Sequence, residues 1–463
     1  MLGMCCVLVA GAGCTADEES HAHPAAAGPD ALARAVTAGN LRSHLVALAA
    51  IARRNGGTRA VGTRGYQQSV AYVSRQLRAA GYRPRLQSFP YDLFRELRPP
   101  RFERLPPGAQ RYRPGRDFLT LRYSGGGTVT GQVAPVEPDS ATSGCEASDF
   151  DGLRRGAVAL LRRGTCFMFL KARNAKAAGA SAVLIANEGV PGRTAPIAAT
   201  LVRPGIGIPV LMVSSAVGSE LARSARAATV RVRISLAVVS KRSRAANVIA
   251  DLPGRIGDGV VLLGGHLDSV ANGPGINDNG SGSALVLEVA RQARRLGLRP
   301  AHGLRFAFWG AEELGLVGST AYVRSLSGSQ RRQLSSYLNF DMVGSPNFAR
   351  FVYDGDREPP GSARIENLFR TYLAAHREPV EELSLEGSSD HAPFAEAGFA
   401  VGGLFTGADE RKPAGAARRF GGTAGKPYDS CYHQACDTLA NINMRVFDQM
   451  ADAAAVVALR LAS

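Results

Sequence analysis

From about residue 245 onward, the sequence repeats a pattern of apolar strand, short loop and helix. The segments GVVLLGGHLDS and GLRFAFWGAEE are nearly continuous apolar runs, and SALVLEVARQARRLG between them has the spacing of a helix. Strands that are apolar on both faces belong to sheets that helices cover on both sides. The pattern therefore predicts an α/β fold whose central sheet is buried on both faces.

Acidic residues and histidines follow these strands or lie on loops near them. The set consists of His266, Asp268, Asp278, Glu312, Glu313, Asp341 and His433. Alone, each residue has an ordinary structural explanation, such as a hydrogen-bonded histidine or a solvated helix start. Ligand sites in α/β folds, however, gather at the carboxyl ends of strands. Imidazole and carboxylate together suit zinc, so the joint placement predicts a metal site.

The stretch GPGINDNGSG, residues 273–282, surrounds the single acid Asp278 with glycines and asparagines. A phosphate loop would need a lysine where Ser281 stands. A calcium loop would need a leading Asp and a preceding helix, and both are missing. A flexible linker does not fit between a buried strand and an apolar helix. A metal ligand held on a rigid bend is the remaining interpretation.

The chain of 463 residues has room for two or three domains. Amphipathic helices are predicted from Leu32 to about Arg54 and from Tyr66 to Ala80, and short strands with one helix follow from about residue 117. The predicted divisions are a signal segment (1–14), a flexible lead-in (15–29), the first part of the α/β domain (30–116), an insertion (117–237) and the main metal-binding part (238–463).

The apolar start MLGMCCVLVAGAGC predicts an export signal, and hence a secreted, extracellular protein. GAGC also resembles a lipoprotein cleavage box, so acylation of Cys14 and membrane anchoring are an alternative hypothesis. No apolar run reaches the ~18 residues of a membrane helix. Downstream, bridges are expected between Cys145 and Cys166 and between Cys431 and Cys436, because the pairs are local and export favours oxidation. The alternative is two pairs of buried thiols.

The formal charge of +16 comes mainly from scattered arginines. Because the arginines form neither a block nor a stripe with interleaved aromatics, nucleic-acid binding is not predicted. We expect a monomer with a basic surface.

The segment between residues 144 and 214 resembles the protease-associated domain. The resemblance is carried by GAVALLRRGTCFMFLKARNAKAAGASAVLIAN and GIGIPVLMVS, with GC and DF ahead of them. This β-rich module is inserted in, or attached to, many exopeptidases, where it covers or gates the substrate cleft. No catalytic set is expected within it.

The rest of the chain resembles the secreted dizinc aminopeptidases of the aminopeptidase Y and leucine-aminopeptidase-like exopeptidase family. GGHLDS, GINDNGSG, WGAEELGLVGS, NFDMVGS, SSDHAPF, GGLFTGA and CYHQACDTLANIN occur in the family's order. The resemblance covers about residues 40–463. It implies a three-layer α/β/α zinc-exopeptidase (phosphorylase/hydrolase-like) catalytic domain, an inserted β-rich protease-associated domain and two Zn²⁺ per chain.

The same resemblance assigns the metal ligands. It implies that His266 and Asp341 hold one zinc, that Glu313 and His433 hold the other, and that Asp278 bridges the two. Glu312 resembles the general base, which takes a proton from the metal-bound water.

The resemblance and the spacing also give expectations for residues outside the ligand set. Asp268 is expected to accept the free ring N–H of His266. Tyr432 resembles a residue whose hydroxyl stabilises the oxyanion, although packing beside the disulfide is the alternative. Ser388 stands where some relatives carry arginine, which leaves its effect on substrate preference open, and His391 is expected to be structural. Asp448 and Asp452 resemble a peripheral Ca²⁺ site, but a solvated helix face explains them equally.

The implied substrate is the amino end of a peptide or protein, with a large apolar first residue. A carboxypeptidase-like relative would use basic residues to hold a terminal carboxylate, and a glutaminyl-cyclase-like relative would use one zinc. A catalytically silent binding ectodomain would have lost ligands. The Cys-Tyr-His run and the full ligand set favour the aminopeptidase.

Overall fold

A computed structural model describes residue 1 and residues 28–257, 259–383 and 388–463. The predicted signal segment and most of the lead-in, including Cys14, lie outside the described residues. Among the described residues, no single helix is long and apolar enough to cross a membrane. Pro29–Ala35 and Ala38–Arg54 meet that requirement only as a pair, and they are bent by 53° relative to each other.

The helices and strands are numbered in chain order. The helices are α1 Pro29–Ala35, α2 Ala38–Arg54, α3 Arg64–Ala79, α4 Met168–Ala177, α5 Ser215–Ala227, α6 Gly282–Arg295, α7 Val317–Ser325, α8 Gly328–Gln333, α9 Ser362–Ala375, α10 Ala392–Glu396, α11 Ala414–Phe420 and α12 Met444–Leu461. The strands are β1 Arg85–Glu96, β2 Arg101–Arg104, β3 Gln110–Arg111, β4 Phe118–Thr120, β5 Gly127–Pro135, β6 Val158–Arg162, β7 Ala182–Ala186, β8 Val210–Val213, β9 Arg231–Leu236, β10 Val238–Leu252, β11 Val260–His266, β12 Gly303–Trp309, β13 Leu334–Phe340, β14 Phe351–Tyr353, β15 Glu381–Leu383 and β16 Ala400–Phe405.

One sheet carries the strands of the α/β pattern, in the order β1-β10-β12-β11-β13-β16-β14-β15. Its central strands β12, β11, β13 and β16 are parallel. Alternate residues of β11 face opposite sides: Val261 and Leu263 join the core under α2, α6 and α12, and Leu262 joins a core with Trp309. Both faces are buried, which confirms the α/β prediction.

The predicted helix over residues 32–54 is broken in the structure. Thr37 has extended backbone angles, and its side chain accepts a hydrogen bond from the Asn40 N–H at 3.3 Å. A threonine in this position caps a new helix, so α2 starts at Ala38. The apolar spacing continues across the break, which is why periodicity alone predicts one helix.

A second sheet has the order β3-β2-β9-β5-β6-β7-β8-β4 within the described residues. It is joined to the first by β1 and β10, which pair antiparallel from Arg85 opposite Ile249 to Glu96 opposite Val238. The second sheet already begins with β2, ahead of the predicted boundary at residue 117. The structure bonds Cys145 to Cys166 in this region, and Cys431 to Cys436 in the first.

Candidate metal centre

Three neighbouring parallel strands end at the same edge of the first sheet. His266 is the last residue of β11, Asp341 directly follows β13, and Glu312 and Glu313 begin a short helical turn after β12. The loop before α6 adds Asp278. With His433, which lies downstream of α11, these side chains line one cavity of about 640 Å³.

Within the described residues, the side chains form two groups that can each hold a metal ion. In the first group, His266 Nε2 lies 3.2 Å from Asp278 Oδ1 and 3.3 Å from Asp341 Oδ1. In the second group, His433 Nε2 lies 3.1 Å from Asp278 Oδ2 and 3.2 Å from Glu313 Oε2. Asp278 belongs to both groups and offers a different oxygen to each.

A cation fits the first group on chemical grounds. His266 Nδ1 lies 3.2 Å from the main-chain oxygen of Asp268, to which its N–H donates. Nε2 is thereby left to face the carboxylate oxygens. Burial would lower the pKa of this ring, but Asp341 and Glu312 raise it well above its usual range, so Nε2 carries a proton there unless a metal ion takes its place. Asp341 Oδ1 and, in the second group, Glu313 Oε1 are buried without a hydrogen-bond donor among the described residues. A buried carboxylate oxygen without a donor is costly, and either a proton or a metal ion would satisfy it.

The glycines around Asp278 allow two close approaches of the main chain. Gly275 has φ +60°, and a Cβ there would lie 2.2 Å from the Asp278 carbonyl oxygen. A Cβ on Gly282 would lie 2.0 Å from the Phe340 carbonyl oxygen. Only glycine tolerates both contacts, so these two positions bring Asp278 against the end of β13. The backbone between them is a wide helical turn that is irregular at Asp278 and Asn279.

Comparison with known proteins agrees with this geometry. Residues 247–458, which include every member of both groups, match Peptidase family M28, and residues 129–221 match the PA domain. An aminopeptidase of Pseudomonas aeruginosa is 42% identical over 443 residues, which cover 93% of this chain and 82% of that protein. The chain belongs to peptidase family M28.

Other relatives extend over most of the chain. A probable lipoprotein aminopeptidase, LpqL, of Mycobacterium tuberculosis is 39% identical and covers 89% of this chain and 82% of that protein. Among solved structures, an aminopeptidase from Aneurinibacillus sp. has a TM-score of 0.65 at 24% identity, over 94% of this chain and 96% of that one. A zinc aminopeptidase from Bacillus subtilis has a TM-score of 0.63 at 24% identity, over 92% and 95%. These two structures share the fold.

Asp437, to which sequence reasoning assigned no role, supports the second group of the M28 site. Its carboxylate accepts hydrogen bonds from the main-chain N–H groups of Asn277 at 2.8 Å and of Asp278 at 3.0 Å. The Cys431–Cys436 bridge encloses His433 just ahead of it. The loop with His433 is thus attached directly to the backbone of Asp278. In the sequence, Asp437 was marked only by its position directly after Cys436.

A hydrogen-bonded serine supports the first group. The Ser389 hydroxyl donates to Asp341 Oδ2 at 2.7 Å and accepts from Asn339 Nδ2 at 2.9 Å. Ser388 lines the cavity beside it. His391 is buried, with its ring centre 5.1 Å from that of Tyr353.

The structure gives Asp268 a different contact from the one expected. Its carboxylate Oδ1 lies 3.9 Å from His266 Nδ1, and the main-chain oxygen of Asp268 takes the ring N–H instead. Oδ1 accepts the main-chain N–H of Glu312 at 3.3 Å. The difference arises because the turn after β11 brings the Asp268 carbonyl closer to the ring than its side chain.

The pKa values of the acids separate Glu312 from the ligands. Burial raises the pKa of Glu312 well above its usual range, despite the opposing effect of His266. Burial, and then Asp278, raise the pKa of Glu313 to about 7. Burial would also raise the pKa of Asp278, but hydrogen bonds from His266 and His433 hold it below its usual range. In the metal-free site, burial therefore favours the protonated form of Glu312, whereas Asp278 stays ionised.

Tyr432 has its ring stacked on that of His433, with the ring centres 3.8 Å apart, and it lines the cavity. Burial, followed by the charge of Asp278, raises the pKa of its hydroxyl above the usual range. The hydroxyl therefore stays protonated at neutral pH and can donate a hydrogen bond into the cavity.

Proposed function

We propose that this M28 peptidase removes N-terminal residues from peptides by hydrolysis at a dizinc centre. The observation that supports this most directly is the sharing of Asp278, since one carboxylate that offers an oxygen to each of two ligand groups suits a two-metal site. His266 and Asp341 would complete the first zinc site, and Glu313 and His433 the second. Bound zinc would supply a water of lowered pKa and would polarise the scissile carbonyl.

Glu312 is the general base in this proposal. It lies next to the ligands, with Oε2 3.8 Å from His266 Nε2, yet it belongs to neither ligand group. Its carboxylate is therefore free to take the proton of the attacking water and to pass it to the leaving amine. The protonated hydroxyl of Tyr432 donates to the carbonyl oxygen as negative charge develops there.

The cavity lining favours an amino end over a carboxyl end. Among its described lining residues there is no arginine or lysine that could hold a terminal carboxylate. Glu312 and Asp341 offer negative oxygens to a positively charged α-amino group. Met342, Leu383 and Phe405 line the same cavity and suit a large apolar first side chain.

We also propose that the protein is exported. The two disulfides favour an oxidising compartment, and the relative LpqL is named a probable lipoprotein. Whether Cys14 carries lipid is tested by mass spectrometry of the protein recovered from membranes.

The central test measures zinc content and hydrolysis of leucyl-p-nitroanilide by the purified protein and by Glu312→Gln. We expect two zinc ions in both proteins and a loss of kcat of about 10²- to 10⁴-fold in the variant, because only the proton acceptor is removed. Glu396→Gln, at an exposed glutamate, is the matched control. A fully active Glu312→Gln would rule out the assignment of the base. Cleavage of peptides blocked at the amino end would favour the carboxypeptidase alternative.

A further inference from the structure

Arg59 lies in the glycine-rich connection between α2 and α3, and its side chain is fully buried. Arginine is almost never buried unless its charge and its five N–H donors are satisfied. Here the guanidinium donates to three main-chain oxygens, those of Leu267, Pro274 and Gly275. The bond from Nε to the Pro274 oxygen is 2.9 Å long.

These three oxygens lie on the chain that links the two metal groups. Leu267 directly follows His266 of the first group, and Gly275 precedes the shared Asp278 by three residues. One planar side chain thus connects the end of β11 with the start of the turn that carries the bridging carboxylate. Its rigid fork can hold several acceptors in a set geometry, which a flexible ammonium cannot do.

Two further contacts attach the connection at Thr58 and Arg59 to the same loop. The main-chain N–H of Arg59 donates to Ser269 Oγ at 3.0 Å, and the Thr58 hydroxyl donates to the Val270 oxygen at 2.8 Å. A Cβ on Gly275 would lie 3.2 Å from Arg59 Nη2, so the guanidinium fits closely against the turn.

The charge of Arg59 also bears on the site. Burial lowers its pKa to about 10, and Asp268, followed by Asp437 and Asp278, opposes that shift. Arg59 therefore remains positively charged at neutral pH, beneath a site that is rich in carboxylates.

We propose that Arg59 is a positioning residue of the metal centre, which holds the 267–275 loop so that the two oxygens of Asp278 face the two ligand groups. This proposal rests on the dizinc function proposed above. Arg59 itself touches neither substrate nor metal, and it acts through the backbone of the loop.

The test compares Arg59→Met and Arg59→Lys with the wild type and with Arg64→Met, which alters the exposed arginine at the start of α3, directly after this connection. Stepwise Zn²⁺ binding to the metal-free proteins is measured by calorimetry, and Co²⁺-loaded proteins are compared by absorption spectroscopy. For Arg59→Met we expect zinc affinity to fall by about tenfold or more and the cobalt spectrum to change. We further expect kcat to fall by about tenfold while KM changes less than threefold, since the loop positions the ligands and not the substrate.

Arg59→Lys keeps the charge but offers one nitrogen to three oxygens, so its affinity and kcat should lie between those of Arg59→Met and the wild type. Zinc affinity, cobalt spectrum and kcat of Arg59→Met within twofold of the wild type would overturn the proposal, even with a lowered Tm, because the residue would then be only structural. If Arg59→Met does not fold, wild-type values in Arg59→Lys would overturn it. A wild type that binds two zinc ions without releasing N-terminal residues contradicts the proposed function instead, and the affinity comparison still decides the role of Arg59.

Discussion

The two metal groups share Asp278, but they are built on different supports. In the first group, His266 ends a buried strand, and its side chain is 1% exposed. In the second group, His433 lies in a surface loop, and its side chain is 42% exposed. The first group is thus positioned by the core of the sheet, while the second depends on the Cys431–Cys436 bridge and on Asp437. Substitutions in the loops should therefore lower metal affinity mainly at the second group.

The largest effect is expected from Asp278→Ala, which removes a ligand from both groups. We expect loss of both zinc ions and a fall in kcat of at least about 10³-fold, since the activated water is lost with them. Asp341→Ala, which affects only the first group, should retain one zinc ion. Metal analysis after dialysis distinguishes the two variants, and two retained zinc ions in Asp278→Ala would disprove the sharing.

Asp437→Asn should lower the zinc affinity of the second group by about 10- to 100-fold. The amide offers only one acceptor oxygen to the two N–H groups of Asn277 and Asp278. The first zinc should be weakened less, because the sheet positions His266 and Asp341 without the help of Asp437. Calorimetric titration of the metal-free variant measures both steps, with the exposed Asp151→Asn as the control. Equal weakening of both steps would mean that the two groups are not supported independently.

Zinc affinity should rise with pH. Burial alone would lower the pKa of His433, but hydrogen bonds to Asp278 and Glu313 raise it to about 10 in the metal-free site. A zinc ion must then displace this proton, so the affinity of the second group should increase about tenfold per pH unit between the pKa values of Glu313 and His433. Below the pKa of Glu313 the increase should be steeper, because a second proton is displaced there. Titrations at pH 6, 7 and 8 in buffers of different ionisation enthalpy count the protons released. An affinity independent of pH would contradict the raised pKa.

The smallest effect is expected from Cys431→Ser combined with Cys436→Ser. The bridge closes a short loop, so its removal should weaken the second zinc by less than about tenfold and leave the first zinc unchanged. Removing Cys145 and Cys166 from the second sheet is the matched control, and it should change neither affinity. A loss of zinc affinity at the first group would show that the bridge also positions the ligands at the strand ends.

The sheet was predictable because its strands are apolar on both faces, and the ligands were candidates because polar residues follow such strands. The break before Ala38 was not predictable, because the capping bond of Thr37 leaves the apolar spacing intact. The supporting roles of Arg59 and Asp437 were not predicted, for a different reason. Their partners are main-chain groups more than 150 positions away in the sequence, and main-chain partners leave no mark in residue types. The individual roles of the site residues stay predictions.

The pairing of β1 with β10 has a consequence for the history of the molecule. The chain departs for the second sheet after Glu96 and is back by Val238, which lies directly opposite it. A tight turn of a few residues could join these two positions, since antiparallel neighbours need no longer connection. The whole protease-associated unit is therefore the elaborated tip of a hairpin, and an ancestor could have gained it, or a descendant could lose it, without rerouting any strand that carries a metal ligand.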